Sequence, residues 1–281
     1  CRTMFLFALI EQDWVTQFKT MIENRAVDVN IVNKQGLTPL LFAISKKKRA
    51  FIHLLINSTR VDISAQTVYD ENNCLHFAAI HDDVLTFQQL QGHLSINSKN
   101  AAMRTPLHLA VINNSIKVLK YLINQSNSPN QRVNRILKPR YASEKLDVNA
   151  IDELGKTALH YAAQSNSSKI IEILLEHPDI SLAIKDHRGN TPFHSSLEKY
   201  GYGLNLFITH PTARISEISN NGLTLFHYCI KRNIPTFLSE LIAVNQKRLK
   251  QFFKQGNQFT DESFSKLDII DINLPDGNGF T

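Results

Sequence analysis

TPLHLAV, residues Thr105 to Val111, sets a histidine beside a hydroxyl residue in a chain with 11 histidines. It is either a site for chemistry or a phrase that the chain repeats for structural reasons. The sequence on either side decides between them. TPLLFAI begins at Thr38, NCLHFAA at Asn73, TALHYAA at Thr157, TPFHSSL at Thr191 and TLFHYCI at Thr224, with a weaker TMFLFAL at Thr3. A further motif threonine, Thr281, follows DGNGF and opens a truncated eighth copy. From Thr3 to Thr281 the starts lie 35, 35, 32, 52, 34, 33 and 57 residues apart. Five gaps sit near 33, and the two long ones each hold an insertion, at about residues 124–146 and 245–268. A fixed period of this size is the mark of a repeat architecture.

Each copy is followed by a second apolar cluster, as in IHLLI (52–56), VLKYLI (118–123), IIEILL (170–175) and FLSELI (237–242). Apolar residues at i, i+3 and i+4 form one helical face. A short phrase comes next: Asp28-Val29-Asn30, Asp62-Ile63-Ser64, Asp147-Val148-Asn149, Asp179-Ile180-Ser181 and Asp271-Ile272-Asn273. A polar glycine turn closes the unit in NKQGLT, DELGKT, DHRGNT, SNNGLT and DGNGFT. Thr-Pro at 38–39, 105–106 and 191–192 suits a helix start, because threonine caps free amides and proline's missing N–H is no loss there. Asp13, Asp83, Ser115 and Ser167 stand ten residues after a motif start, where the second helix needs a cap, and Pro235 stands one place later.

These phased copies resemble the ankyrin repeat, with its 33-residue period and T-P-L-H-x-A phrase, over almost the whole chain. The resemblance implies an all-α fold: one array over 1–281, a solenoid of stacked helix-turn-helix units with short hairpin fingers. It also implies a concave face, built from fingers and first helices, that grips another protein. The departures are specific. The Gly position between the helices holds Asn114, Asn166 and Asn233, which tolerate left-handed backbone, and Gln12, Lys47 and Asp82, which tolerate it less well. Met103 replaces a finger glycine, and the finger before Asn73 (YDENN) looks trimmed. Gly201 and Gly203 in GYGLNLFITHP weaken the second helix of the sixth unit. The first unit has no visible finger.

Composition agrees with a folded chain: 43% hydrophobic, 20% charged and a net charge of +6. No apolar run is long enough to cross a membrane, and the patch from Met4 to Ile10 lacks the features of a signal peptide. Cys1, Cys74 and Cys229 are far apart, which excludes a disulfide framework and a thiolate zinc site and suits a reducing, cytoplasmic setting. A chain that opens on Cys1 and stops at a motif threonine reads as a piece of something longer.

The motif histidines, His76, His108, His160, His194 and His227, do not form a metal ladder. Stacked helices stand roughly 8–10 Å apart, whereas Zn–N bonds are about 2 Å. Each imidazole is expected to brace its own helix start. Cys74 and His76, two apart on a helix, do not face one another. GYGLN and DGNGF lack the strand-before, helix-after setting of a phosphate loop. No catalytic residue, metal or cofactor is implied, and no small-molecule substrate is expected.

What remains is surface. On the family's pattern the exposed finger residues are Lys34, Gln35, Glu153, Leu154, His187, Arg188, Asn220 and Asn221. The matching first-helix residues are Ser45, Lys46, Ile80, His81, Ile112, Asn113, Gln164, Ser165, Glu198, Lys199, Lys231 and Arg232. Ile80, Ile112 and Leu154 are apolar at positions expected to be open. The first insert carries Arg132, Arg135, Lys138 and Arg140, and it reads as a long loop with a short helix around 133–137. The second alternates Lys247, Arg248, Lys250 and Lys254 with Leu249, Phe252 and Phe253, which suits an extended amphipathic helix. The expectation is a monomeric, non-catalytic scaffold with a protein partner. One alternative is the targeting part of a larger enzyme, or of an effector that intracellular bacteria deliver into the host cytoplasm. The weaker alternative is contact with nucleic acid or an anionic membrane.

Overall fold

The computed structural model describes residues 4–127, 141, 144–165, 167–199, 203–210, 213–254 and 275. They divide into two compact units, Cys1–Glu153 and Leu154–Thr281. The first unit holds α1 (Met4–Glu11), α2 (Val15–Glu23), α3 (Pro39–Ser45), α4 (Arg49–Ile56), α5 (Cys74–Ile80), α6 (Val84–Leu90), α7 (Pro106–Ile112) and α8 (Ile116–Asn127). The second holds α9 (Ala158–Gln164), α10 (Ser168–Leu175), α11 (Pro192–Lys199), α12 (Leu204–Thr209), α13 (Leu225–Lys231) and α14 (Pro235–Lys254). Among the described residues the only extended pairing outside the turns is an isolated bridge between Ile218 and Thr224.

Odd-numbered helices carry the motif, and each pairs with the helix that follows it. Motif helices also stack on one another, α1 on α3, α3 on α5 and α5 on α7 in the first unit, and α9 on α11 and α11 on α13 in the second. The sequence explains this contact. The motif alanines Ala43, Ala78, Ala110 and Ala162 are all 0% exposed, and so small a side chain lets neighbouring helices approach. Leucines two residues into each motif (Leu40, Leu75, Leu107 and Leu159) are buried beside them. Second helices supply much of the aromatic filling: Phe18 of α2 meets Phe51 of α4 edge-on at 4.9 Å, and Phe207 of α12 stacks on Phe193 of the motif helix α11 at 5.6 Å.

The Asp-Val-Asn phrase has a defined task in the first unit. The Asn30 amide donates to the Arg60 carbonyl (2.9 Å) and accepts from the Asp62 amide (2.8 Å). Asn97 does the same with Lys145 (2.8 Å) and Asp147 (2.8 Å), across the first insertion. Glu144 adds bonds to the Ser95 hydroxyl (2.6 Å) and the Ile96 amide (2.9 Å). A side-chain amide thus stands in for a strand partner and satisfies backbone groups that would otherwise be unpaired.

Several local expectations are corrected. The left-handed residue of the first turn is Asp13 (φ 57°), not Gln12, and Asp13 pairs with Lys48 instead of capping α2. In α1 the buried positions are Leu6, Phe7, Leu9 and Ile10, one residue later than a start at Thr3 gives; Thr3 itself lies outside the described residues. Ser167 makes no side-chain cap, whereas Asp83 caps α6 by accepting from the Thr86 amide (3.3 Å). The finger before Asn73 is wider, not trimmed: Thr67 N–H reaches the Asn72 carbonyl, one residue further than in other fingers. The sixth unit keeps a second helix, α12, because Leu204, Phe207 and Ile208 bury an apolar face that outweighs weak propensity. Gly203 opens it at φ 71°, and a Cβ there would lie 2.6 Å from Ile171 Cδ1.

The turns between motif and second helix are left-handed at Lys47, Asp82, Asn114 and Asn233, with φ between 53° and 55°. For an L-residue this conformation costs about 1–2 kcal/mol, which glycine does not pay. Gly203→Ala should therefore lower stability by about 1–2 kcal/mol. Lys47→Gly should raise it by up to about 1 kcal/mol, part of the relief being offset by glycine's greater freedom when unfolded. Urea unfolding of both variants measures this; shifts of the same sign would contradict the strain argument.

Candidate interaction surface

The motif histidines are built into the helix starts. In each of the five, Nδ1 accepts from the backbone N–H of the capping residue three places earlier, at 3.0–3.3 Å. That leaves the proton on Nε2. His76 Nε2 then donates to the Arg104 carbonyl (3.0 Å), and His160 Nε2 to the Asn190 carbonyl (3.0 Å). Each of these imidazoles ties one helix start to the finger of the next repeat. Burial pushes His76 down to about 4 against the opposing pull of the Arg104 carbonyl. Burial, with Lys185 nearby, pushes His194 down to about 4 as well. Burial raises both Cys74 and Cys229 to about 12, far from a thiolate at neutral pH. Among the described residues, no group of three or more His, Cys, Asp or Glu side chains is placed to hold a metal ion.

Fingers are closed turns with locked tips. Asn33 Oδ1 accepts from the amides of Gln35 (2.9 Å) and Leu37 (3.0 Å). Asn100 Oδ1 does so from Ala102 and Arg104, and Asp186 Oδ1 from Arg188 and Asn190. Neighbouring tips are joined through the backbone. In the first unit Ala101 N–H donates to Asp70 (2.9 Å) and Glu153 N–H to Ala102 (3.1 Å). In the second, His187 N–H donates to Leu154 (3.0 Å) and Asn220 N–H to Arg188 (3.3 Å). With the backbone satisfied this way, the tip side chains face solvent, although Asn220 Nδ2 also donates to the His187 carbonyl (3.4 Å).

Lys34, Gln35, Glu153, Leu154, His187, Arg188, Asn220 and Asn221 are all exposed. Lys46, His81, Asn113, Ser165 and Arg232 fall at the C-terminal ends of motif helices. Lys46, Ile112, Asn113, Lys231 and Arg232 are exposed, and Ser45, His81, Gln164, Ser165 and Glu198 half-buried. Ile112 (42%) and Leu154 (46%) are exposed, but Ile80 is half-buried, so two of the three apolar candidates are exposed as expected. Burial lowers the His81 pKa, and the Lys47 charge lowers it further. The Lys199 side chain, the basic loop residues Arg132, Arg135, Lys138 and Arg140, and the helix expected at 133–137 lie outside the described residues. The second insert does begin as a helix, α14 of 20 residues, with Lys247, Lys250 and Lys254 exposed. Arg248 is half-buried and donates to the Ala213 carbonyl (3.2 Å).

Sequence reasoning missed the finger at 67–72. Tyr69 is 83% exposed and Val68 65%, the most open large apolar side chains among the described residues. The signal was the extra residue between Thr67 and Asn72, which was read as a loss. Ile230, 57% exposed, was missed as well.

Comparison with known proteins places this geometry in context. The family described as ankyrin repeats (3 copies) matches residues 60–136 and 127–215. Human rabankyrin-5 is 29% identical over 100 residues, 35% of this chain and 9% of that protein. The neurogenic locus notch homolog protein 1 of Xenopus laevis is 28% identical over 198 residues, 60% of this chain and 8% of that protein. A probable serine/threonine-protein kinase of Dictyostelium discoideum is 42% identical over 55 residues, 20% of this chain and 6% of its own length. The chain thus spans under a tenth of the curated relatives it matches. Their sources lend no support to a bacterial origin. The crystal structure of the ankyrin repeat domain of Bcl-3 superposes with a TM-score of 0.63 at 20% identity, covering 79% of this chain and 92% of that one.

An unfolded histidine takes its proton near 6.5, whereas in the fold His76 and His194 hold off to about 4. Stability is therefore complete above about pH 7 and is lost as pH falls from 6.5 toward 4, by roughly 3 kcal/mol per histidine. Urea midpoints across pH 7.5 to 4.5 should fall in that window. A flat profile would show that these imidazoles are not buried neutral.

Proposed function

Because the chain belongs to the ankyrin-repeat family, we propose that it is a non-catalytic scaffold that binds another protein through its finger tips and the ends of its motif helices. One observation carries the reading: side chains of mixed chemistry stand open on a backbone already locked, by bonds from finger to finger at the tips and by helix α7 at Ile112, which is 42% exposed. A surface fixed before contact loses little entropy on docking. An apolar side chain held open in water gains from being covered. The proposed setting is the cytoplasm; among the described residues no helix is long and apolar enough to cross a membrane.

A second reading takes the array as the targeting part of a longer enzyme or effector. It is supported by relatives that are many times longer than the matched segment, one of them described as a probable kinase. Immunoblotting of native cells separates the two: a band near 32.0 kDa, the mass of this sequence, overturns the second.

Ile112→Glu and Lys231→Glu together should reduce capture of crosslinked partner proteins at least tenfold. Both sites are exposed, so stability should change by less than about 0.5 kcal/mol. Capture that survives these changes and a full set of tip substitutions would overturn the reading.

A further inference from the structure

One groove in the first unit has a more specific chemistry. It is about 400 Å³ in volume, and its lining includes Asp70, Asn72, Ala101, Ala102, Arg104 and Glu153. Its floor is low because the finger at 100–104 carries Ala101-Ala102 where other tips carry Lys34-Gln35, His187-Arg188 or Asn220-Asn221. The floor cannot collapse into the gap, since its backbone is held on both sides by the Asp70 and Glu153 bonds described above.

On either side of this notch stand two exposed carboxylates, Asp70 and Glu153. Neither side chain makes a hydrogen bond or ion pair with any described residue. The one cation in the lining, Arg104, faces the fully buried carboxylate of Asp152, with Nε at 3.4 Å. The groove therefore presents uncompensated negative charge on a chain whose net charge is +6. Asn72 adds an independent signal. It is only 8% exposed, and its Oδ1 accepts from Asn100 Nδ2 (2.9 Å). Its own Nδ2 has no partner among the described residues and is not sealed from solvent, so this donor is open to a guest in the groove.

We infer that this groove receives a lysine or arginine side chain from an extended segment of the protein partner, which rests on the scaffold reading above. The cationic head sits between Asp70 and Glu153, the aliphatic stem lies over Ala101 and Ala102, and a main-chain carbonyl of the segment accepts from Asn72 Nδ2. A charge-assisted bond to two carboxylates favours a guanidinium or ammonium over any neutral side chain.

The test uses N-acetyl-arginine amide and N-acetyl-lysine amide as probes on the ¹⁵N-labelled full chain. Saturable millimolar shifts are expected at the Asn72 side-chain amide and the backbone amides of Ala101 and Ala102. N-acetyl-norleucine amide and N-acetyl-glutamate should produce none. The double variant Asp70→Asn, Glu153→Gln should weaken probe binding at least tenfold, and Ala102→Leu, which fills the notch and keeps both charges, should do the same. The inference is overturned by absent shifts, by equal response to norleucine, or by wild-type binding in either variant. Partner capture lost in the Ile112→Glu, Lys231→Glu protein while probe binding persists separates this groove from the wider surface.

Discussion

A buried imidazole holds the repeats in step. Nδ1 of His76 takes an amide proton from the start of its own helix, and its Nε2 proton goes to the carbonyl of Arg104, 28 residues on. Both bonds need a neutral ring, and burial supplies that condition by disfavouring the charged form. One side chain therefore fixes where a helix begins and where the next finger must stand. His160 repeats the arrangement with Asn190 in the second unit. The small residues do the rest, since Ala43, Ala78 and Ala110 let the first-unit helices close to packing distance. The phrase that looked like an active site is the fastening of the structure, and its chemical inertness is what its task requires.

Much of this was legible in the sequence because it repeats. Threonine, proline, histidine and alanine at fixed offsets announce capped helices that stack, and they do so several times in phase. The legible part of the surface follows from the same phase: Ile112, Leu154, His187 and Arg188 emerge where the offsets put them. The illegible parts are those where tertiary packing overrides local preference. Nothing in Met103 or Glu71 favours φ near 55°, yet their fingers hold them there. Gly203 argues against a helix, yet the apolar face of α12 forms one. In the first unit a one-residue error of register went undetected because both Thr3 and Met4 precede an apolar run, and only the burial of Leu6, Phe7, Leu9 and Ile10 separates them.

The surface differs from the core in what constrains it. Asx side chains at Asn33, Asn100 and Asp186 satisfy their own turns, and tip-to-tip backbone bonds brace them, so tip side chains other than Asn220, which donates to the His187 carbonyl, carry little structural duty. A tip can hold Lys34, Ala101 or His187 without altering the turn beneath it. Sequence variety there reflects freedom in the fold, and for that reason it is also where specificity can be written.

The amide of Asn97 reaches across the first insertion to bond Lys145 and Asp147, as Asn30 reaches Arg60 and Asp62 across a repeat without one. The bond pattern is the same whether some thirty residues intervene or some fifty. Each such amide works as a resetting device: it recovers the phase of the chain however much slack has been let out before it. Length changes at this point in the repeat are thereby kept out of the core. A gene can grow a new loop there in a single event without first having to find a new way to fold.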